Sequence, residues 1–369
     1  MSAVLRCLAA LTFLLTAATA QAGTWTRLQP ADMGDCAVLF EGPIGPGDLT
    51  QAIGTGLLDG FNTRICLNSP GGSLGEVLAF LQASERGDTA FFFGTRVRSG
   101  DECLSSCAIL FMFGQSFGAN SPYPSRQLEP GARLGFHSPF IRDGAATAAS
   151  DAEVFKVALQ VAKLLADRSY KAVTADGAAL PQELLALVLG TPSAEMRYVE
   201  TLGEAKVMNI ELTRNIETEV ILQDRREVLE PLIKQICIAS HTLTFRQHMV
   251  DEGYDFADLV ERATDPATTG PDYEITAYVR NRGDGNSGNN DLLAVVTGPG
   301  YFQPGWFSAG SMMYCRVAMS FEPAPGGVKV QWYYADFDFI SDTDLTRVPD
   351  ETYRFEVMTG GLLPLDTRF

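Results

Sequence analysis

Hydrophobic positions fall into two regimes along this chain. Up to about residue 210, apolar runs of strand length alternate with stretches of helical spacing, and beyond about residue 270 apolar and polar residues alternate singly. In the first regime Cys36-Ala37-Val38-Leu39-Phe40 reads as a buried strand closed by the turn from Glu41 to Pro46. A helix is expected from about Asp48 to Phe61, and Thr63-Arg64-Ile65-Cys66-Leu67 is the next strand. Strand, helix, strand predicts parallel pairing, because parallel neighbours need a crossover between them. The turn Asn68-Ser69-Pro70-Gly71-Gly72 opens a helix over 74–83 with Leu74, Val77, Leu78 and Leu81 on one face. A strand over 89–97 leads through a polar loop to a helix from about Ser106 to Gln115, apolar nearly all round, as a helix buried on every side must be. A strand at 134–137 follows a turn-rich segment. Helical spacing then returns over 151–170, 184–189 and 193–208, and 209–222 reads as strand.

The second regime begins after a polar boundary at about Gln223 to Glu230. Residues 228–263 look helical, and Tyr273 to Val279, Met312 to Phe321 and Val328 to Phe339 alternate with Gly and Pro turns between them, the pattern of an antiparallel sheet. The expected organisation is therefore an α/β domain over 34–222 and a helical plus β-rich extension over 228–369. Trp332-Tyr333-Tyr334-Ala335-Asp336-Phe337 reads as core strand, with a peptide-binding edge as the alternative.

Residues 1–22 change the picture of where the chain works. Arg6 precedes the apolar run Leu8 to Leu15, and Ala20-Gln21-Ala22 precedes Gly23, which reads as a cleavable signal peptide too short to span a bilayer. No later stretch approaches the ~20 consecutive apolar residues of a membrane span. Removing the leader takes the formal charge from −17 to about −18, a surface that disfavours nucleic acid and anionic lipid as partners. Export also bears on the six remaining cysteines, since an oxidising compartment favours disulfides. About fifteen pairings are possible; the preferred set is Cys237 with Cys315, Cys103 with Cys107 and Cys36 with Cys66. No metal-ligand spacing occurs among the Cys and His residues, so neither metal nor other cofactor is expected.

The candidate chemistry lies between Gly71 and His137. A serine hydroxyl needs a base within reach and donors aimed at the oxyanion. Ser105 or Ser106, entering a helix, gains the positive end of the helix dipole and free backbone N–H groups, although a serine there also serves as a cap. His137 is the candidate base, with a satisfied core histidine as the alternative. Gly71-Gly72 permits close approach of a peptide group, though Pro-Gly-Gly is also a common turn.

These residues resemble the Clp-type protease and signal-peptide-peptidase superfamily, whose fold is related to that of the crotonases. Ile65 to Ser73 is similar to its strand and oxyanion loop, and Ser105-Ser106-Cys107-Ala108-Ile109-Leu110-Phe111-Met112-Phe113-Gly114 matches without a gap the segment that opens with the nucleophile. Gly135-Phe136-His137-Ser138-Pro139 resembles the histidine segment, and Glu204 to Ile210 resembles the later Glu-Ala helix. The resemblance covers about 34–222. It implies a spiral of parallel strands and helices, Ser105 as nucleophile, His137 as base, and Gly71, Gly72 and Ser106 as oxyanion donors. It also implies the register of exported relatives with a Cys-x-Ser-x-Cys segment, in which Cys103 and Cys107 bracket the nucleophile.

Two departures from the family pattern stand out. Counting back from Glu204 to the family's acid lands on Arg197, and Glu195 fits with a small shift, so Glu195 is the candidate orienter of His137, with Asp151 and Asp176 as competitors. The segment between serine helix and histidine is also longer than in compact relatives. Lys163 and Lys171, where one branch of the superfamily uses a lysine base, read as surface lysines. The loop Asp284 to Asp291 has calcium-like oxygen spacing but no closing glutamate and reads as a hairpin tip, as does Arg282-Gly283-Asp284 within it. The expectation is an exported serine peptidase acting on peptide or protein. It would need no ATPase partner, and homo-oligomers are possible by analogy with relatives. The alternative is a catalytically inactive binding or scaffold protein of the same fold.

Overall fold

A computed structural model describes residues 23–29, 35–58, 63–84, 92–117, 122–139, 151–171, 180–213, 216–219, 221–222, 231–237, 239–240, 243, 274–280, 292–299, 312–339 and 362–369. The expected signal peptide, the calcium-like loop, Asp176 and most of 241–273 lie outside them. The chain divides into two compact units, one ending at Tyr198 and the other beginning at Val199. That division lies ahead of the boundary expected between 222 and 228.

The first unit is built on a mainly parallel sheet. Strands β1 (Thr24–Arg27), β2 (Val38–Glu41), β3 (Thr63–Asn68) and β4 (Phe93–Val97) are followed by β5 (Glu102–Leu104), β6 (Gln115–Phe117), β7 (Pro122–Pro124), β8 (Arg126–Leu128) and β9 (Arg133–Phe136). In the sheet β1, β2, β3, β4 and β8 lie side by side in that order, antiparallel at β1/β2 and parallel from β2 to β8. Register puts Val38 beside Ile65 and Ile65 beside Thr95, so by alternation Val38, Phe40, Ile65, Leu67, Phe93 and Val97 share one face, and all six are buried. Helices α1 (Leu74–Ser84) and α2 (Ser106–Met112) pack against each other, and the Phe80 ring of α1 meets Phe93 edge-on at 5.5 Å. Every residue of α2 is buried, as its unbroken apolar run predicts.

A smaller sheet leads into the candidate residues Ser105 and His137. Strand β5 pairs in parallel with β9, Leu104 beside Gly135, and β9 pairs antiparallel with β10 (Arg197–Tyr198). The helices α3 (Asp151–Lys171) and α4 (Gln182–Gly190) lie between β9 and β10 in sequence. The helical spacing read over 193–208 is broken here. Residues 193–194 turn, 197–198 supply β9 with a second neighbour, and helix α5 (Leu202–Val207) starts only at Thr201, in the second unit. There Thr201 and Glu204 form a reciprocal capping box, which fixes the start regardless of the propensity upstream.

Of the helix expected from 48 to 61, the described residues 48–58 hold only a short 3-10 turn at Thr50–Ala52. Gly47, Gly54 and Gly56 adopt φ of +87°, +75° and +79°, a region closed to a right-handed helix. Likewise α2 stops at Met112, because Phe113 and Gly114 donate to Leu110 and Phe111 in a tightened turn and Gly114 lies against Thr95 and Ser125.

The second unit holds β11 (Glu211–Leu212), β12 (Ile221–Leu222), a helix α6 over 231–237, β13 (Glu274–Arg280), β14 (Leu292–Pro299), β15 (Met312–Ala324) and β16 (Gly327–Phe339). Strands β12, β16, β15, β14 and β13 form an antiparallel sheet in that order, as the single-residue alternation predicts. Trp332 to Phe337 runs in β16, paired with β15. Lys206 is ion-paired with the buried Glu217 at 2.7 Å, and Glu217 also accepts from Leu362 N–H at 3.2 Å. The three disulfides join Cys36 to Cys66, Cys103 to Cys107 and Cys237 to Cys315, the set preferred from sequence. Among the described residues no helix is long and apolar enough to cross a membrane.

Candidate active site

Ser105 sits where strand β5 turns into helix α2, with φ +58° and ψ −123°. Only Asn209 shares positive φ with it among the described non-glycine residues, and Ser105 lies outside the left-handed helical well that asparagine tolerates. Such a conformation costs on the order of 1–3 kcal/mol and persists only where its surroundings over-determine it. Those surroundings are visible. Ser105 N–H donates to Gly135 O at 2.9 Å, Leu104 N–H to Ser69 O at 3.0 Å, and Ile109 N–H to Ser105 O at 3.3 Å.

Although Ser105 occupies the cap position of α2, its hydroxyl makes no capping hydrogen bond. The first-turn N–H groups of the helix are thus left without that acceptor, and the half-buried hydroxyl is free of a structural task. Ser106, by contrast, is 4% exposed and its Oγ is buried with no hydrogen-bond partner. Of the two serines, only Ser105 is open to a substrate.

The glycine turn presses against this elbow. A Cβ on Gly71, whose φ is +90°, would stand 2.5 Å from Leu104 O, 2.8 Å from Ser105 Cβ and 3.2 Å from Ser106 N, so the backbone can approach only because residue 71 is glycine. Gly72 is packed as closely on Ile44, where a Cβ would stand 2.2 Å from the carbonyl oxygen. Gly71 N–H donates to the buried Ser69 Oγ at 3.1 Å, while Gly72 N–H has no acceptor among the described residues. Of the oxyanion donors expected from sequence, Gly71 N–H is thus already engaged, and Gly72 N–H and Ser106 N–H remain as candidates.

Two carboxylates hold this turn from behind. Ile44 N–H donates to Gly71 O and Ser73 N–H to Ile44 O, so the segment around Ile44 is a strut for the turn. Asp48 Oδ2 accepts from Gly45 N–H at 2.7 Å and Gly23 N–H at 3.0 Å. Glu76, on the first turn of α1, accepts from Gly47, Leu49 and Thr50 N–H groups and from the Thr50 hydroxyl at 2.7–3.0 Å. Burial pushes the Glu76 carboxyl up, but these four donors outweigh it and hold the carboxyl below its ordinary value of 4.5. Neither carboxylate was singled out from sequence. The signal available was an acid just after a glycine turn at a helix start, which is common enough to carry little weight alone.

His137 follows the last residue of β9, half-buried, two positions beyond the Gly135 that anchors Ser105. Because β5 and β9 are parallel neighbours, Ser105 and His137 leave the same edge of the small sheet on strands about 4.8 Å apart. The two side chains are not hydrogen-bonded to each other. His137 Nδ1 lies 2.8 Å from Ser138 O, so in this contact Nδ1 donates. Ser138 N–H in turn donates to Thr191 O, which ties the histidine segment to the end of α4.

Glu195 is not brought to His137. It lies exposed on the turn after α4, its N–H donating to Pro192 O, and no hydrogen bond or ion pair joins it to the imidazole. The side chain of Asp151 lies outside the described residues. Lys163 is 74% exposed and pairs with Asp167 one turn along α3, and the Lys171 side chain is not described. Cys103 and Cys107 bracket Ser105 and are joined to each other, both fully buried. No protein-family model matches the chain, and no curated protein matches it significantly.

Proposed function

We propose that this protein is an exported serine hydrolase of the Clp-protease and crotonase-like spiral class, acting on peptide or protein substrates. The observation that carries the reading is the backbone of Ser105. A serine held at φ +58° between a strand and a buried helix, without a capping bond, has the geometry of a nucleophile elbow. Strain of this kind at a residue with no structural use for it points to a catalytic one.

The reaction follows from the surroundings. Ser105 Oγ attacks the substrate carbonyl carbon while His137 Nε2 takes the hydroxyl proton. The carbonyl oxygen, now an anion, is received by Gly72 and Ser106 N–H. Collapse of the tetrahedral adduct breaks the C–N bond, and the departing amine takes the proton from His137. Water then repeats the sequence on the acyl-serine and restores the hydroxyl. The Ser138 carbonyl would orient the imidazole through Nδ1, and Glu195 takes no part. In this pose His137 swings or is drawn onto Ser105 when substrate arrives, since catalytic hydrogen bonds are often long before binding.

The absence of a Ser105 to His137 hydrogen bond, together with the absence of any bond from Glu195 to the imidazole, favours a second reading: a non-catalytic module that holds a partner. One experiment separates them. The oxidised protein is treated with a fluorophosphonate probe beside Ser105→Ala and His137→Ala. Labelling that maps to Ser105 and disappears in both variants is the expected result. Intact wild type that takes up no probe at Ser105 would overturn the hydrolase reading and leave the binding module.

A further inference from the structure

We infer that the Cys103–Cys107 disulfide is a positioning device for Ser105, holding its backbone in the strained conformation that the hydrolase reading requires; the catalytic part of the inference rests on that reading. The bridge spans four positions and is centred on Ser105. Cys103 belongs to β5, where it pairs with Leu134 of β9 and bridges to Ser69, so the strand side is fixed in place. Cys107 is the second residue of α2. The bond therefore ties a fixed strand end to the first turn of the helix across the one strained residue between them.

The need for such a tie is set by the missing cap. At an ordinary helix start the cap side chain bonds the N–H two or three residues on, which fixes the angle between the incoming chain and the helix. Here that hydroxyl is free, and the covalent link from 103 to 107 does the same job without using it. A bridge over so short a loop restricts the unfolded chain less than the other two bridges do, so its main effect falls on local geometry. Neither sulfur is exposed, so the bond is protected from solvent thiols once formed and is not itself placed to exchange with a substrate.

The test has one arm that needs no activity. Ser105→Gly removes the penalty of positive φ, and it is placed in two backgrounds: the native disulfide, and C103V/C107A, whose new residues suit a strand and a helix respectively. C103A/C107A serves as a second background. With the bridge present Ser105→Gly should raise Tm by at least about 2 °C. Without the bridge the backbone at 105 can relax, and the gain should shrink to less than half. An equal gain in both backgrounds would overturn the inference whatever the protein's activity. The second arm compares fluorophosphonate inactivation of native protein, C103V/C107A and C36V/C66V at a temperature where all three are folded. Loss of the 103–107 bridge should lower the maximal inactivation rate about 10- to 100-fold with the probe's half-saturation concentration little changed, whereas loss of the 36–66 bridge should alter neither. Equal rates for native protein and C103V/C107A would overturn the positioning role; native protein that is not labelled at all would overturn the hydrolase reading, while the Tm arm would still decide the clamp.

Discussion

The contact between Gly71 and the serine elbow can be measured by substituting two glycines that share a backbone conformation and differ in what surrounds them. Gly71 has φ +90° and Gly47 has φ +87°, so an alanine at either carries the same backbone penalty of about 1–2 kcal/mol. Around Gly47 nothing lies within 4 Å of the added Cβ. Around Gly71 it would meet Leu104 O at 2.5 Å and Ser105 Cβ at 2.8 Å, on two residues whose backbone N–H groups are pinned by hydrogen bonds to Ser69 and Gly135. Overpacking against atoms that cannot move aside adds about 1–3 kcal/mol. Gly71→Ala should therefore lose about 2–5 kcal/mol and Gly47→Ala about 1–2. Urea unfolding gives both numbers, and fluorophosphonate labelling gives the local consequence, abolished in Gly71→Ala and retained in Gly47→Ala. Equal losses in the two variants, with labelling preserved in both, would show that the turn does not bear on Ser105 and would remove the oxyanion assignment with it.

Further expectations follow from the same contacts. Because the folded Glu76 carboxyl titrates below its unfolded value, its contribution to stability is fully present above about pH 4.5 and is lost as pH falls through the folded value. Glu76→Gln should cost about 2 kcal/mol at neutral pH and flatten the decline of stability on the acid side, both read from urea unfolding across pH 3–7. Glu195→Gln should leave probe labelling of Ser105 within about twofold of wild type, well inside the 10²- to 10⁴-fold that a general base contributes; a loss of that size would return Glu195 to the site. Lys206→Met strands the buried Glu217 without its cation and should destabilise the second unit by about 3–5 kcal/mol, seen as an early thermal transition, while leaving Ser105 reactive below it.

Much of this was legible in the residues. The strand, helix and strand order from Val38 to Leu67 required parallel pairing, and the uniform burial of Ser106 to Met112 followed from a run without a polar face. The alternation beyond residue 270 gave the antiparallel sheet. The helix expected at 48–61 does not form over the described 48–58, because of glycines whose φ values a side-chain pattern does not report. The strand at Arg197–Tyr198 was missed because its cause lies in β9, which needs a neighbour, and not in its own residues. At the candidate site, chemistry pointed to Ser105 or Ser106, to His137 and to the Gly71-Gly72 turn, and the family resemblance selected Ser105. The occupied Gly71 N–H was not legible, since it depends on a hydroxyl two residues earlier folding back onto its own turn. Nor could spacing reveal the contact of His137 Nδ1 with the carbonyl of Ser138, because every residue has a carbonyl.

Loop length separates what the three disulfides do. In the chain-entropy description, closing loops with sequence separations of 78, 30 and 4 is worth ~4.5, ~3.7 and ~2 kcal/mol respectively. The first two join elements distant in sequence, β15 to α6 in the second unit and the approach to β2 with β3 in the first, where the gain in stability is reason enough for them. The Cys103–Cys107 bridge brings the smallest gain, and it joins a strand and a helix already connected through the single residue Ser105. Stability is a weak reason for a bond there. Its position around a residue that must be held at φ +58° is a stronger one, and it explains why a capping hydroxyl can be left unbonded at the start of a wholly buried helix. The fold at this point fixes its backbone by covalent and main-chain links, which leaves the Ser105 hydroxyl out of the capping role, as the proposed nucleophile requires.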